Sequence, residues 1–266
     1  MTSVLIAAAI AASASAFVEN ARASTAKYQD QRIAIADGYK RVGRDFPAMG
    51  EHWVRITLVF DGKFDPAHPE VLNYVVVDGK PTLFGVGYAV PLLDGESAPA
   101  GPAGAAAWHD HFRTVEDETV LPHHHHGSAA NKDGARLAMM HAWIWSPNPD
   151  GMFAADNWTL PYRRLGLTPV AGAPIAVAKA LSLATGGRSY FEMAVDAAAE
   201  GEKFEKEGVQ SAFDRAQRGV EAVVQSKTIE EAELSRLADI WTTMWDEIDK
   251  ALSPTARSRI SHLPIR

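Results

Sequence analysis

Four histidines stand in aromatic company in the middle of the chain. His52 lies in Met49-Gly50-Glu51-His52-Trp53-Val54, His109 and His111 in Trp108-His109-Asp110-His111-Phe112, and His141 in His141-Ala142-Trp143-Ile144-Trp145. Imidazole is the commonest protein metal ligand and the side chain that titrates nearest neutral pH. In extended backbone, residues two apart point to one face, so His109 and His111 are spaced to share a single ion. His141 and His52, each on a segment of strand character, are the candidates for a third position. A histidine set with an open coordination position suits zinc, copper or ferrous iron, and an added carboxylate such as Glu116 or Asp110 moves the preference toward iron or manganese. The sequence thus predicts a transition-metal ion held by ligands drawn from His52, His109, His111, His141 and Glu116.

The competing reading is structural. A lone histidine in an apolar strand, as His141 is, serves equally well as a hydrogen-bonded core residue. The conspicuous run His123-His124-His125-His126 sits between Leu121-Pro122 and Gly127-Ser128. Homopolymeric histidine binds divalent metals adventitiously, whatever its biological role, so this run is a weaker lead than the four dispersed residues. Other chemistries lack their residues. Cysteine is absent, which removes thiolate ligands, disulfides and cysteine nucleophiles. There is no Glu-x-x-His pair of the kind a di-iron bundle needs, no Gly-x-Ser-x-Gly elbow and no glycine-rich nucleotide loop.

The elements that must position these residues follow from periodicity. Ser13 to Tyr39 reads as helix, with Phe17, Ala21, Tyr28, Ile35 and Tyr39 near helical spacing. Gly43 to Gly50 reads as a loop. His52 to Phe60 alternates as a strand; Val71 to Val77, rich in β-branched residues, reads as a second, Thr82 to Val90 as a third and Leu137 to Trp145 as a fourth. Asp78-Gly79 is a hairpin turn signal, and Gly85 and Gly87 predict a bulge or a close approach inside the third strand. Pro147, Pro149 and Gly151 stop the fourth strand. Beyond Pro174 the pattern is helical: Pro174 to Ala184, Ser189 to Val224, a helix opened by Thr228-Ile229-Glu230-Glu231 at capping-box spacing, and a short last helix started by Ser253-Pro254. Leu234, Leu237, Trp241, Met244 or Trp245, Ile248 and Leu252 form an apolar stripe.

The predicted class is α+β: a small antiparallel β-sheet with an N-terminal helix and a C-terminal helical layer. The organisation reads as residues 1–23, a β-rich histidine-containing domain over 24–168, and a helical region over 169–266 that packs on it or builds a homo-oligomer. Val4 to Ala12 has the length of a signal-peptide apolar region, with Ala14-Ser15-Ala16 or Ala21-Arg22-Ala23 as cleavage sites, yet no basic residue precedes it. It is equally an alanine-rich helix start. The localisation that follows is periplasmic or secreted in the first case and cytoplasmic in the second. No apolar run is long enough to span a bilayer, and a net charge of −7 argues against a nucleic-acid partner.

The segment Met49-Gly50-Glu51-His52-Trp53-Val54 and the segment His141 to Phe153 resemble a group of uncharacterised, often exported bacterial proteins. These share a Met-Gly-x-His-aromatic segment and a later His-x-Trp-x4-Asn-Pro-x-Gly-x-Phe segment. The resemblance covers about residues 25 to 160, with Glu70 to Pro91 fitting the same pattern. It implies that His52 and His141 are motif positions, and that Gly87 stands where the group often has an acidic residue; it implies no activity. His109-x-His111 with Glu116 also matches the H-x-H-x4-E core of the first cupin motif, but the glycine before it and the second histidine motif are missing.

Three functions are compatible with these residues. One is a mononuclear His-ligated metalloenzyme acting on a small molecule through metal-activated water or an oxidant. The second is a non-catalytic protein that buffers or delivers copper or zinc, and the third a helix-mediated assembly protein with structural histidines.

Overall fold

The computed structural model describes residues 2–93, 95–102, 104, 107–112, 136–226, 228–263 and 265–266, and for 2–13, 110–112 and 136 it describes the backbone. The fold is α+β. Two compact units divide the chain: residues 1–44 with 49–157, and residues 45–48 with 158–266.

The first unit is built on a sheet of six strands in the order β1-β2-β3-β4-β6-β5, antiparallel from β2 through β5 at its far edge. These are β1 (Lys40–Phe46), β2 (Gly50–Val54), β3 (Val71–Val77), β4 (Lys80–Leu92), β5 (His109–Phe112) and β6 (Arg136–Ala142). The Asp78-Gly79 signal is realised as a two-residue hairpin: Val77 faces Lys80 across the ladder, and both turn residues have positive φ, 50° and 73°. That conformation matches the strand twist and needs residues such as Asp and Gly.

The sheet has two unlike faces, because alternate residues point to opposite sides. One carries Leu72, Tyr74, Val86, Tyr88, Val90, Ala138 and Met140, all buried against α1 (Thr2–Thr25) and the 61–69 loop. Phe17 of α1 is the centre of this core, with its ring 5.5 Å from Tyr88 and 5.6 Å from Phe153. Arg22 donates to the Ile144 carbonyl at 2.8 Å, and Trp145 Nε1 donates to Thr25 Oγ1 at 3.2 Å. The other face carries Val71, Ala89, Leu137 and Met139 in a smaller apolar cluster with Val59, together with the histidines.

Several boundaries differ from the periodicity. The N-terminal helix is three pieces: α1, a 3-10 turn at Ala26–Gln29, and α2 (Gln31–Ala36), which is capped by Asp30 through a bond from Arg32 N. The expected 43–50 loop is reduced to the turn at 47–49, with β1 running to Phe46 and β2 starting at Gly50. The apolar alternation from His52 to Phe60 is a strand only to Val54; Ile56–Val59 forms one helical turn, α3. The ladder with β3 ends at Val54 opposite Val71, and Arg55 N then bonds Glu70 O. Past that point no strand pairing holds the chain extended. Strand β6 stops at Ala142, not at Trp145.

The second unit is helical: α4 (Leu160–Arg164), α5 (Ile175–Leu183), α6 (Arg188–Ala198), α7 (Lys206–Val224), α8 (Glu231–Ala251) and α9 (Pro254–Ser261). The predicted single helix over 189–224 is broken between α6 and α7, where Gly201 takes φ 76°. The capping box is real but two residues later than predicted: Glu230 accepts from the N3 backbone and Glu233 from Glu230 N. Ser253 caps α9 through Ala256 N. The stripe of Leu237, Trp241, Met244, Trp245 and Ile248 is buried inside this unit, with Phe191 stacked edge-on against Trp241. Among the described residues, no helix is long and apolar enough to cross a membrane.

Candidate metal centre

His52, His109 and His141 come from three strands and meet on one face. His52 faces Asn73 of β3, Asn73 faces Gly85 of β4, Gly87 faces His141 of β6, and His109 of β5 faces Met139. Paired residues share a face, and so do residues two apart. The register therefore sets His52, Asn73, Gly85, Gly87, His141, Met139 and His109 on the same side. The ring centroids lie 5.5 Å apart for His52 and His141, and 5.4 Å for His109 and His141.

This convergence needs an explanation, because β3 and β4 lie between β2 and β6. At 4.7–4.9 Å per strand the two backbones are separated by about 14 Å. The imidazoles of His52 and His141 reach toward each other over a strand with no side chains at Gly85 and Gly87. A Cβ at Gly87 would sit 3.0 Å from Val71 Cβ and 3.5 Å from His141 Cδ2, and one at Gly85 would sit 3.1 Å from the Trp143 ring. These glycines are the close approach that the sequence predicts. A register shift in β3 between Asn73 and Tyr74 lies opposite Gly85.

Burial is deep. His52 and His109 are 7% exposed and His141 1%, and the three Nε2 atoms are shielded from solvent. His141 Nδ1 lies 2.7 Å from the Ala155 carbonyl. A carbonyl oxygen only accepts, so Nδ1 carries the proton and the neutral ring presents its lone pair at Nε2. Burial also pushes the His141 imidazole below its ordinary pKa, opposed by the Ala155 bond and by Asp156. A hydrogen bond at one ring nitrogen that fixes tautomer and orientation for the other is the usual support of a metal-bound histidine.

The residues after β6 hold the Ala155 carbonyl in place. Trp143 Nε1 donates to Ala154 O at 2.7 Å and its ring lies edge-on to His141 at 5.9 Å. Trp143 N bonds Met152 O. Asn148 Oδ1 accepts from Asp150 N, its Nδ2 donates to Asp156 O at 2.8 Å, and Gly151 takes φ 112°. The Asn-Pro-x-Gly segment thus folds back and delivers the Ala155 carbonyl to His141. At the other end, Gly50 takes φ 73°, and a Cβ there would collide with the Tyr74 carbonyl. That is the physical reason for glycine two residues before His52.

Of the predicted ligands, the structure brings together His52, His109 and His141. His111 occupies the register position opposite Leu137; Glu116 and His123–His126 lie outside the described residues. Among the described residues, no group of three or more His, Asp or Glu side chains is arranged to hold a metal ion as it stands. The sequence reading passed over Asn73, a buried polar residue in the apolar run Val71-Leu72-Asn73-Tyr74-Val75, although asparagine is depleted in strands and its presence there was the available signal. No family model, curated protein or solved structure matches the chain.

Proposed function

We propose that the β unit binds one transition-metal ion through His52, His109 and His141, with His111 and Glu116 as the further donors the sequence offers, and acts on a small molecule at the open position. The observation that carries this reading is the meeting of three buried imidazoles around His141. Two imidazoles sharing an ion at about 2.0–2.1 Å with a tetrahedral angle have ring centres about 5 Å apart. The spacings of 5.5 and 5.4 Å around His141 are close to that figure. The Ala155 bond fixes the tautomer of the central ring and leaves Nε2 as its ligating nitrogen. Nitrogen donors suit zinc, copper or ferrous iron, and such an ion would activate a bound water or polarise a small substrate.

Burial favours an enzyme over a buffering or delivery protein. A carrier trades its ion with partners, whereas this cluster lies beneath β-sheet side chains and a braced loop. The roles of the protein groups are then distinct. Trp143 and the 147–157 loop exclude water and fix His141, while Gly85 and Gly87 let Val71 and the rings of Trp143 and His141 approach the strand closely.

Elemental analysis of untagged protein lacking His123–His126 tests the proposal. About one equivalent of a single transition metal, lost on His141→Ala, is expected for a structural or catalytic site. Metal below about a tenth of an equivalent, with no uptake on reconstitution, would rule the site out.

A further inference from the structure

We infer that Asn73 is a fourth polar member of the site, an oriented hydrogen-bond acceptor that selects a ligand bearing an O–H or N–H group. The inference rests on the metal reading above and adds to it the chemical class of the ligand: a small protic molecule such as water, an alcohol or an amine, rather than a bare anion.

Asn73 is 1% exposed and stands on β3 with His52 as its partner on one side and Gly85 on the other. It therefore lies on the histidine face, between the strand that carries His52 and the strand over which His52 and His141 approach. Its Nδ2 donates to the Met49 carbonyl at 3.3 Å. Because a carbonyl cannot donate, this bond decides which way the amide is turned and directs Oδ1 away from Met49. Oδ1 is buried and accepts no hydrogen bond among the described residues. Of its neighbours on this face, Gly85, Gly87 and Val71 have no side-chain donor to offer, and the imidazole of His52 opposite is a ligand in the proposed site.

A buried acceptor without a donor is costly, and proteins keep few of them. A ligand that brings its own proton would satisfy it. Water held at a metal, or an alcohol or amine in the same place, presents polarised O–H or N–H groups. A neutral amide oxygen accepts such a bond and cannot remove the proton, so Asn73 holds and orients the ligand without acting as a base. An aprotic anion placed there would set its charge against the Oδ1 lone pairs. Sites built around one hydrogen-bonding group reject analogues that lack the partner.

The test uses the full chain loaded with Co2+, titrated with azide and followed by the visible absorption of the metal. Azide should bind about tenfold tighter to Asn73→Leu than to the unsubstituted protein, since the repelling oxygen is gone, and more weakly to Asn73→Asp. If Asn73→Leu does not fold, the comparison of Asn73→Ala with Asn73→Asp carries the same prediction. Equal azide affinity in all variants that bind Co2+ would overturn the role of Asn73 and leave the metal site standing. Failure of the unsubstituted protein to bind Co2+ would overturn both.

Discussion

Glu70 offers the sharpest quantitative check on the architecture beneath the site. It is 1% exposed at the start of β3, and its Oε2 accepts from Ala89 N at 3.1 Å, where β4 runs past the end of its neighbour. Burial, partly offset by its bonds to backbone N–H groups, pushes its carboxyl from 4.5 up to about 8. The folded protein therefore keeps a proton that the unfolded chain releases. Glu70 contributes stability that is complete below about pH 4.5 and is lost as the pH rises to about 8. At about 1.36 kcal/mol per pH unit, that interval corresponds to a loss of about 4–5 kcal/mol, of which about 3 kcal/mol is gone by pH 7. Glu70→Gln keeps an oxygen for Ala89 N and removes the titration. Urea unfolding of both proteins between pH 5 and pH 8.5, followed by near-ultraviolet circular dichroism, gives the difference between them, in which other titrating groups cancel. The variant should gain on the parent steadily across this range, by several kcal/mol in total. Parallel stability curves would show that Glu70 is ionised in the fold, and would refute the burial argument.

Three further outcomes follow from packing at named positions. Gly50→Ala, forced into φ 73° against the Tyr74 carbonyl, should destabilise the β unit by about 3 kcal/mol or more, read from the urea midpoint. Phe17→Ala should cost about 3–5 kcal/mol, because the ring fills the space between Tyr88 and Phe153; a loss under about 1 kcal/mol would mean that α1 does not complete this core. Gly87→Ala, whose Cβ would press on Val71 at 3.0 Å and come into contact with the His141 ring, should weaken metal binding about tenfold, measured by competition with a chelator.

The parts of this fold that were legible in sequence are those decided by local chemistry. Asp78-Gly79 specifies its turn, Ser253-Pro254 its cap, and the β-branched run Val71 to Val77 its strand before any partner is known. The stripe through Trp241 and Trp245 likewise announces a buried helix side. What failed was decided by pairing. Ile56, Leu58 and Phe60 alternate as well as any strand, but the ladder runs out at Val54 and the chain turns into α3, leaving Ile56 and Phe60 exposed. β1 has weak local signals and exists because β2 is there to pair with it. The capping box slid by two residues because Glu230 and Glu233 satisfy the same geometry as the Thr228–Glu231 spacing.

The site shows the same division. His109-x-His111 and His141 were readable as ligand types, and His52 as a motif position. That His52 and His141 meet depends on strand order, which no local pattern encodes, and on the close approach that Gly85 and Gly87 announce. The support of His141 by Ala155 O is a backbone contact, invisible in residue identity, although the Asn148-Pro149-Asp150-Gly151 turn that creates it is not. Asn73 was visible as a misfit in an apolar strand, and its meaning came only from its neighbours across the ladder.

X-ray absorption at the metal edge of zinc-loaded, untagged protein tests the central claim most directly. A first shell dominated by imidazole nitrogens at about 2.0–2.1 Å is expected, reduced by one imidazole in each of His52→Ala, His109→Ala and His141→Ala, and unchanged on deleting His123–His126. A shell that ignores the three substitutions and vanishes with the deletion would place the metal on the histidine run and contradict the account.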